Sequence, residues 1–235
     1  MKQISLIITA ALMLFMVSCS DQPKPAEEKP AAPAPAAEAK PAAFSPYKAM
    51  MFMGTVKDYD KWYSIFAGRD SIRKSFGLTK PGVGRGLEND KMVIVFCTAS
   101  DIARAKAFAA SPDLKEVLKK EGVTNTPAFS YVDVISDDTS SIPQHERLIV
   151  TNHVKDFDTW KKAYDAEGAS TRAANGLVER AMARGVDDPN TVTILFAITD
   201  MAKAKARATS PELKKIMTDA GVDSAPQITW FKWVK

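Results

Sequence analysis

Only two histidines occur in the chain, His145 and His153. His153 closes an apolar run, Leu148 to Val154. Imidazole titrates near neutral pH, so there it could serve as a base or a ligand contact. The plainer alternative is a strand-end histidine bonded to backbone. His145 lies in a polar stretch and reads as surface. Arg85 and Arg184 each precede a glycine in matching contexts, Arg85-Gly86 and Arg184-Gly185. A guanidinium there could grip an anionic ligand with two parallel hydrogen bonds. It could equally pair with nearby carboxylates and close a strand end. Trp230 and Trp233 lie near the C-terminus in a run that alternates in facing, so at least one is expected to line a cavity. Trp62 and Trp160 fall on apolar helical stripes and read as core. Cys97, flanked by Phe96 and Val95, reads as a buried thiol.

The absent patterns narrow the chemistry. No His or Cys cluster has metal-ligand spacing. Gly82-Val83-Gly84-Arg85-Gly86 is glycine-rich, yet it lacks the lysine and hydroxyl of a phosphate loop and precedes a turn. It reads as a kinked or bulged strand. No cofactor is expected. The net charge of +4 over 235 residues is mild and evenly mixed with acids, which argues against nucleic acid. Two cysteines exclude a disulfide framework.

These residues sit in a chain with an internal repeat. Val56-Lys57-Asp58-Tyr59-Asp60-Lys61-Trp62 recurs as Val154-Lys155-Asp156-Phe157-Asp158-Thr159-Trp160, 98 positions on. After one inserted residue the offset is 99. Gly77-Leu78 then matches Gly176-Leu177, and Ser111-Pro112-Asp113-Leu114-Lys115 matches Ser210-Pro211-Glu212-Leu213-Lys214. Gly122-Val123 matches Gly221-Val222. Under this register His153 corresponds to Thr55, so any role for it would make the halves unequal.

Each copy predicts the same elements. An apolar strand comes first, 49–56 or 148–154. Asp58 or Asp156 then caps a helix that Gly77 or Gly176 stops. Two strands follow, near 82–87 and 92–98, or 178–186 and 192–198. Asp101 or Asp200 opens a second helix, which restarts at Ser-Pro and stops at Gly122 or Gly221. The last strands are 128–135 and 227–234. The order β-α-β-β-α-β, twice, is the ferredoxin-like pattern. Helices on one face leave the other face of each sheet bare, and the simplest cover is the other copy. The expected architecture is therefore α+β, with repeats at 44–136 and 147–235, a linker at 137–146, and the sheets packed as an intrachain pseudo-dimeric barrel. A monomer is expected.

The first 43 residues read differently. Lys2 followed by an apolar run from Ile4 to Val17 is too short to span a bilayer and has the layout of a signal peptide. Its end, Met16-Val17-Ser18-Cys19, resembles the lipobox of bacterial lipoproteins, with Met16 where leucine is usual. The resemblance implies a lipoprotein signal peptide over 1–19, with Cys19 lipidated and becoming the first residue of the mature chain, and anchorage to membrane lipid in the cell envelope. Ser20 after the cysteine resembles the outer-membrane sorting pattern, which places the chain facing the periplasm. In 20–43, 15 of 24 residues are Pro or Ala, a composition for a disordered tether.

The repeat unit itself resembles the small dimeric α+β-barrel proteins related to antibiotic-biosynthesis monooxygenases. The resemblance rests on Val154-Lys155-Asp156-Phe157-Asp158-Thr159-Trp160, the Gly176-Leu177 strand start, Asp187-Asp188-Pro189-Asn190, Ser210-Pro211-Glu212-Leu213 and Ala220-Gly221-Val222. It covers both copies and is closer in the second. Single-unit members of that group dimerise, so fusion would let one chain build the whole barrel. Asn152 beside His153 resembles polar pairs of haem-degrading relatives. The group spans cofactor-free oxygenases, isomerases and haem-using enzymes, so the fold does not fix the function. The expectation is an anchored protein that binds a small, partly apolar ligand between the two repeats, contacted by Arg85, Arg184, Asn152, Trp230 and Trp233. One alternative is a cofactor-independent monooxygenase- or isomerase-like enzyme using the barrel pocket, with His153 as catalytic residue. The other is a non-catalytic envelope interaction module.

Overall fold

The computed structural model describes residues 44–234. The leader, Cys19 and the tether lie outside the described residues. The first repeat runs β1 (Tyr47–Thr55), α1 (Tyr59–Gly68), α2 (Asp70–Ser75), β2 (Leu78–Gly86), β3 (Met92–Ala99), α3 (Ile102–Ala110), α4 (Pro112–Lys120) and β4 (Ala128–Asp137). The second runs β5 (Glu146–His153), α5 (Phe157–Glu167), α6 (Ala169–Ala174), β6 (Leu177–Gly185), β7 (Thr191–Ile198), α7 (Met201–Ala208), α8 (Pro211–Asp219) and β8 (Gln227–Trp233).

The capping residues act as their chemistry dictates. The Asp58 carboxylate accepts from the Lys61 amide at 3.0 Å, and Asp156 accepts from Thr159 at 2.8 Å. Asp101 and Asp200 do the same for Arg104 and Lys203, both at 3.0 Å. The Ser111 and Ser210 hydroxyls cap α4 and α8, each with proline just inside. Each removes an orphan amide from the start of its helix. Gly176 has φ of +76°, and a Cβ there would lie 2.4 Å from the Asp200 carbonyl oxygen, so only glycine can end α6 and enter β6.

Two local features differ from the sequence expectation. The first helix of each repeat is broken, after Gly68 in the first and at Gly168, with φ of +82°, in the second. The apolar stripe of Tyr59, Trp62 and Phe66 is interrupted at Arg69 and Asp70, where α1 ends and α2 begins. The glycine-rich strand starts earlier, at Leu78, and absorbs Pro81 through a bulge. Lys80 takes φ of +50°, and pairing to β3 shifts register between Thr79 and Gly82.

All eight strands close one antiparallel barrel in the order β1-β3-β2-β8-β5-β7-β6-β4. Each repeat contributes the ferredoxin-like half, β4-β1-β3-β2 or β8-β5-β7-β6. The halves join edge to edge. β2 meets β8 through Gly84–Trp233, Arg85–Lys232 and Gly86–Phe231. β4 meets β6 from Val132–Gly185 to Asp137–Ala181. The seams leave no sheet edge free among the described strands, which removes the usual template for aggregation. The α+β fold is thus a tandem pseudo-dimer made within one chain.

Alternation along the strands divides the core into three. Met50, Phe52, Val93, Val95 and Cys97 face the helices of the first repeat. Leu148, Val192, Ile194 and Phe196 face those of the second. Met51, Ile94, Ile149 and Phe231 meet in the barrel interior. The interior is not symmetric. Phe231 and Trp233 of β8 lie against Gly84 and Gly82 of β2, where a Cβ would come within 2.3 and 3.2 Å of their rings. The glycine-rich segment is therefore a groove for two aromatic rings.

Candidate functional site

The most chemically distinctive cavity lies inside the second repeat, between its sheet and its helices. Its volume is about 110 Å³. Leu148, Val150, Ile194 and Phe196 make the floor, and Trp160, Tyr164, Ile216 and Met217 make the roof. Pro226 and Ile228 stand at one side, and Ile228 is among the few large exposed apolar residues.

Asn152 reaches this cavity from β5. It is 3% exposed, and its Oδ1 makes no hydrogen bond. A buried acceptor left unpaired costs about 1–3 kcal/mol, so it marks a place where a donor is expected. Arg172 contributes a second such atom, because its buried Nε is also unpaired. The rest of that guanidinium is held. It stacks 3.9 Å above the Tyr164 ring and donates to the Tyr164 carbonyl at 2.8 Å. Glu167 joins Arg172 at 3.4 Å and Arg207 at 2.8 Å. The Tyr164 hydroxyl donates to Glu179. Burial, and then that bond to a carboxylate, push the phenol well above its ordinary value, so it stays protonated. The pocket is an apolar chamber with one free acceptor, one free donor and an internally neutralised ionic wall.

The same place in the first repeat keeps Trp62 and Arg73, whose buried Nε is likewise unpaired, but its sheet side is built from different residues. Val150 pairs across the sheet with Ile228, and the matching pair is Phe52 and Phe129, whose rings meet at 5.3 Å. Gly54 replaces Asn152. A Cβ at Gly54 would lie 2.8 Å from the Phe52 ring, so the ring lies over the space a side chain would need. Phe108 replaces Arg207. The remaining cavity is about 50 Å³. Aromatic side chains have plugged one pocket and left its twin open.

The residues expected from the sequence are distributed as follows. Asn152 lines the second-repeat cavity. Trp233 lines the barrel interior, while Trp230 faces the second repeat's helices. The expected alternation places one of the two toward the space between repeats. Arg85 donates through Nε to the Asp90 carbonyl at 2.6 Å and sits 4.7 Å over the Tyr59 ring. Arg184 donates to the Pro189 carbonyl at 2.7 Å and sits 3.9 Å over Phe157. Both arginines staple the turn that follows their strand, and neither lines a described cavity. Cys97 is buried, and burial raises its thiol to about 11, so it is not a nucleophile.

His153 also lines no described cavity and is partly exposed. Its Nδ1 bonds Asp223 at 2.6 Å and its Nε2 lies 3.4 Å from Asp188. The bond to Asp223, and then the two negative charges, raise its value above the ordinary histidine value. A raised value means the clasp is complete below the unfolded value and is lost as pH rises through the folded one. We expect the imidazole proton signals of His153 to titrate above about 6.5. Asp223→Asn should move that midpoint down. An unmoved midpoint would remove the clasp.

Sequence reasoning missed Tyr164, Glu167, Arg172 and Arg207. The available signal was the mismatch between copies at Phe66/Tyr164 and Phe108/Arg207, which alignment of the repeats exposes, whereas Arg172 matches Arg73 and gave none.

No family model matches this sequence, and no curated protein matches it by sequence. Solved structures do match. One described as an anthrone oxidase-like protein is 14% identical with a TM-score of 0.55, covering 80% of this chain and 92% of that one. A candidate monooxygenase from Lactobacillus acidophilus is 16% identical with a TM-score of 0.50, covering 81% and 94%. Another candidate monooxygenase, from Fusobacterium nucleatum, is 12% identical with a TM-score of 0.50, covering 81% and 93%. The chain shares the α+β barrel fold of these structures. At these identities the likeness is one of fold.

Proposed function

We propose that this protein binds one small, mainly apolar molecule per chain in the second-repeat cavity. The observation that carries the reading is the unpaired Asn152 Oδ1, buried against an apolar chamber whose twin is plugged. A ligand with a hydroxyl or N–H group would satisfy that acceptor, and an oxygen on the same ligand would meet the Arg172 Nε. Apolar walls would contribute the bulk of the affinity. A lipid anchor at Cys19, holding the barrel on the periplasmic face of the outer membrane, is part of the same proposal. It fits a role in capturing or carrying small molecules in the envelope.

A second reading makes this pocket an oxygenase site, in line with how the fold neighbours are described. No described carboxylate in the pocket is free to act as base, because Glu167 is shared between two arginines. The binding reading is therefore preferred.

The test is native mass spectrometry of the purified full-length chain, followed by calorimetry with whatever molecule co-purifies. Asn152→Leu should weaken that molecule at least tenfold, the loss of a hydrogen bond worth about 1.4 kcal/mol. Binding unaffected by Asn152→Leu would sink the proposal. Turnover of the molecule in air would favour the second reading.

A further inference from the structure

The larger cavity is elsewhere. It occupies the barrel interior between the two repeats and measures about 240 Å³. Its origin lies in an asymmetry between the seams. At the β2–β8 seam, Phe231 and Trp233 fill the interior against glycines. At the β4–β6 seam the matching side chains are Val132 and Val134, and they face Ala181 and Ala183. Small residues on that side leave a chamber beside the ring of Phe96 and the edge of Trp233, which pack at 5.5 Å. Phe96, Thr193, Leu195 and Trp233 point into the barrel and yet are only half-buried. The chamber therefore opens to solvent at one end.

That end carries polar groups. Tyr47 donates to Asp137 at 2.7 Å. Thr98 and Lys80 also line the space, and neither side chain makes a hydrogen bond or ion pair among the described residues. One cation and one carboxylate leave the mouth without net charge. The walls beyond it are apolar, with hydroxyls at Thr98 and Thr193. Burying an ionised group against such walls would cost more than it returns. An apolar protein cavity of about 150 Å³ already accepts benzene.

We propose that the barrel interior is a second, separate binding site for an uncharged aromatic molecule of one or two rings bearing a hydroxyl group. The rings would lie between Phe96, Trp233, Ile149 and Leu195. The hydroxyl would meet Thr98 and the Tyr47–Asp137 pair at the mouth. This site is independent of the Asn152 pocket, since the β5 and β7 strands separate them. Ile149 and Leu195 face the interior, and Val150 and Ile194 face the helices.

2-Naphthol is a suitable probe. The full-length chain, labelled with ¹³C in its isoleucine and leucine methyl groups, is titrated with it. Ring-current shifts are expected at Ile149 and Leu195. Their absence at saturating probe overturns the proposal, whether or not Ile194 and Ile216 of the other pocket respond. Ala181→Leu projects into the chamber from a half-buried position and should weaken 2-naphthol at least tenfold while the chain still unfolds cooperatively. Unchanged affinity in a folded Ala181→Leu protein would also overturn it.

Discussion

At pH 8 the Glu121→Gln variant is expected to be more stable than the parent by up to about 3 kcal/mol, and at pH 4 the two should be nearly equal. Glu121 is 5% exposed and caps the end of α4, where the helix dipole already disfavours negative charge. Burial raises its carboxyl to about 7, and the attraction of Arg69 and Arg73 offsets only part of that. Both arginines have other partners. Arg69 holds Asp113 at 2.6 Å, and Arg73 donates to the Phe66 carbonyl at 2.6 Å. The sign follows from which state holds the proton. The folded chain binds it more tightly than the unfolded chain, so the parent loses stability as pH rises from about 4.5 to about 7. Above that range the loss is constant. Glutamine keeps the shape and has no charge to bury. Urea unfolding of both proteins at pH 4, 6 and 8 gives the difference directly, with the other carboxylates cancelling. A difference that does not grow with pH would mean Glu121 is ionised and satisfied in the folded chain.

Much of the scaffold is legible in the sequence because its signals are local. Asp58, Asp101, Asp156 and Asp200 announce helix starts by their own chemistry, and Gly77 and Gly176 announce stops by theirs. The repeat doubles every such signal, and two bare sheet faces in one chain leave few ways to pack. The pocket is less legible because its meaning is relational. Val150 and Ile228 are unremarkable apolar strand residues until they are set beside Phe52 and Phe129. Asn152 draws notice as a polar residue in an apolar run, but its orphaned oxygen depends on how the helices of the second repeat close over it. Arg85 and Arg184 mislead for the opposite reason. Their recurrence in both copies points to a shared task, and that task is closing a turn over Tyr59 or Phe157. In a duplicated fold, identity between copies marks what the scaffold needs, and divergence at paired positions marks where one copy has acquired a role of its own.

That inference yields the largest expected effect on binding. Transplanting the first repeat's plug into the second, as Val150→Phe, Asn152→Gly and Ile228→Phe together, should abolish binding at the Asn152 pocket, with a loss of at least a hundredfold. The three changes must go together. Phe52 lies over Gly54 because no side chain stands there, so phenylalanine at 150 would collide with Asn152 if it were kept. The new rings would face each other across β5 and β8 in the register that Phe52 and Phe129 use across β1 and β4. Because the chain already folds around this trio once, overpacking should cost less than the usual 1–3 kcal/mol. Removing a buried unpaired acceptor should return part of it. The expected protein is folded, near parental stability and empty in the second repeat, while 2-naphthol still shifts Ile149 and Leu195 in the barrel interior. Calorimetry and methyl spectra on this one variant separate the two sites. Retained binding of the co-purified molecule would show that the Asn152 pocket is not where it sits. Loss of the interior shifts as well would mean that the two cavities are not independent.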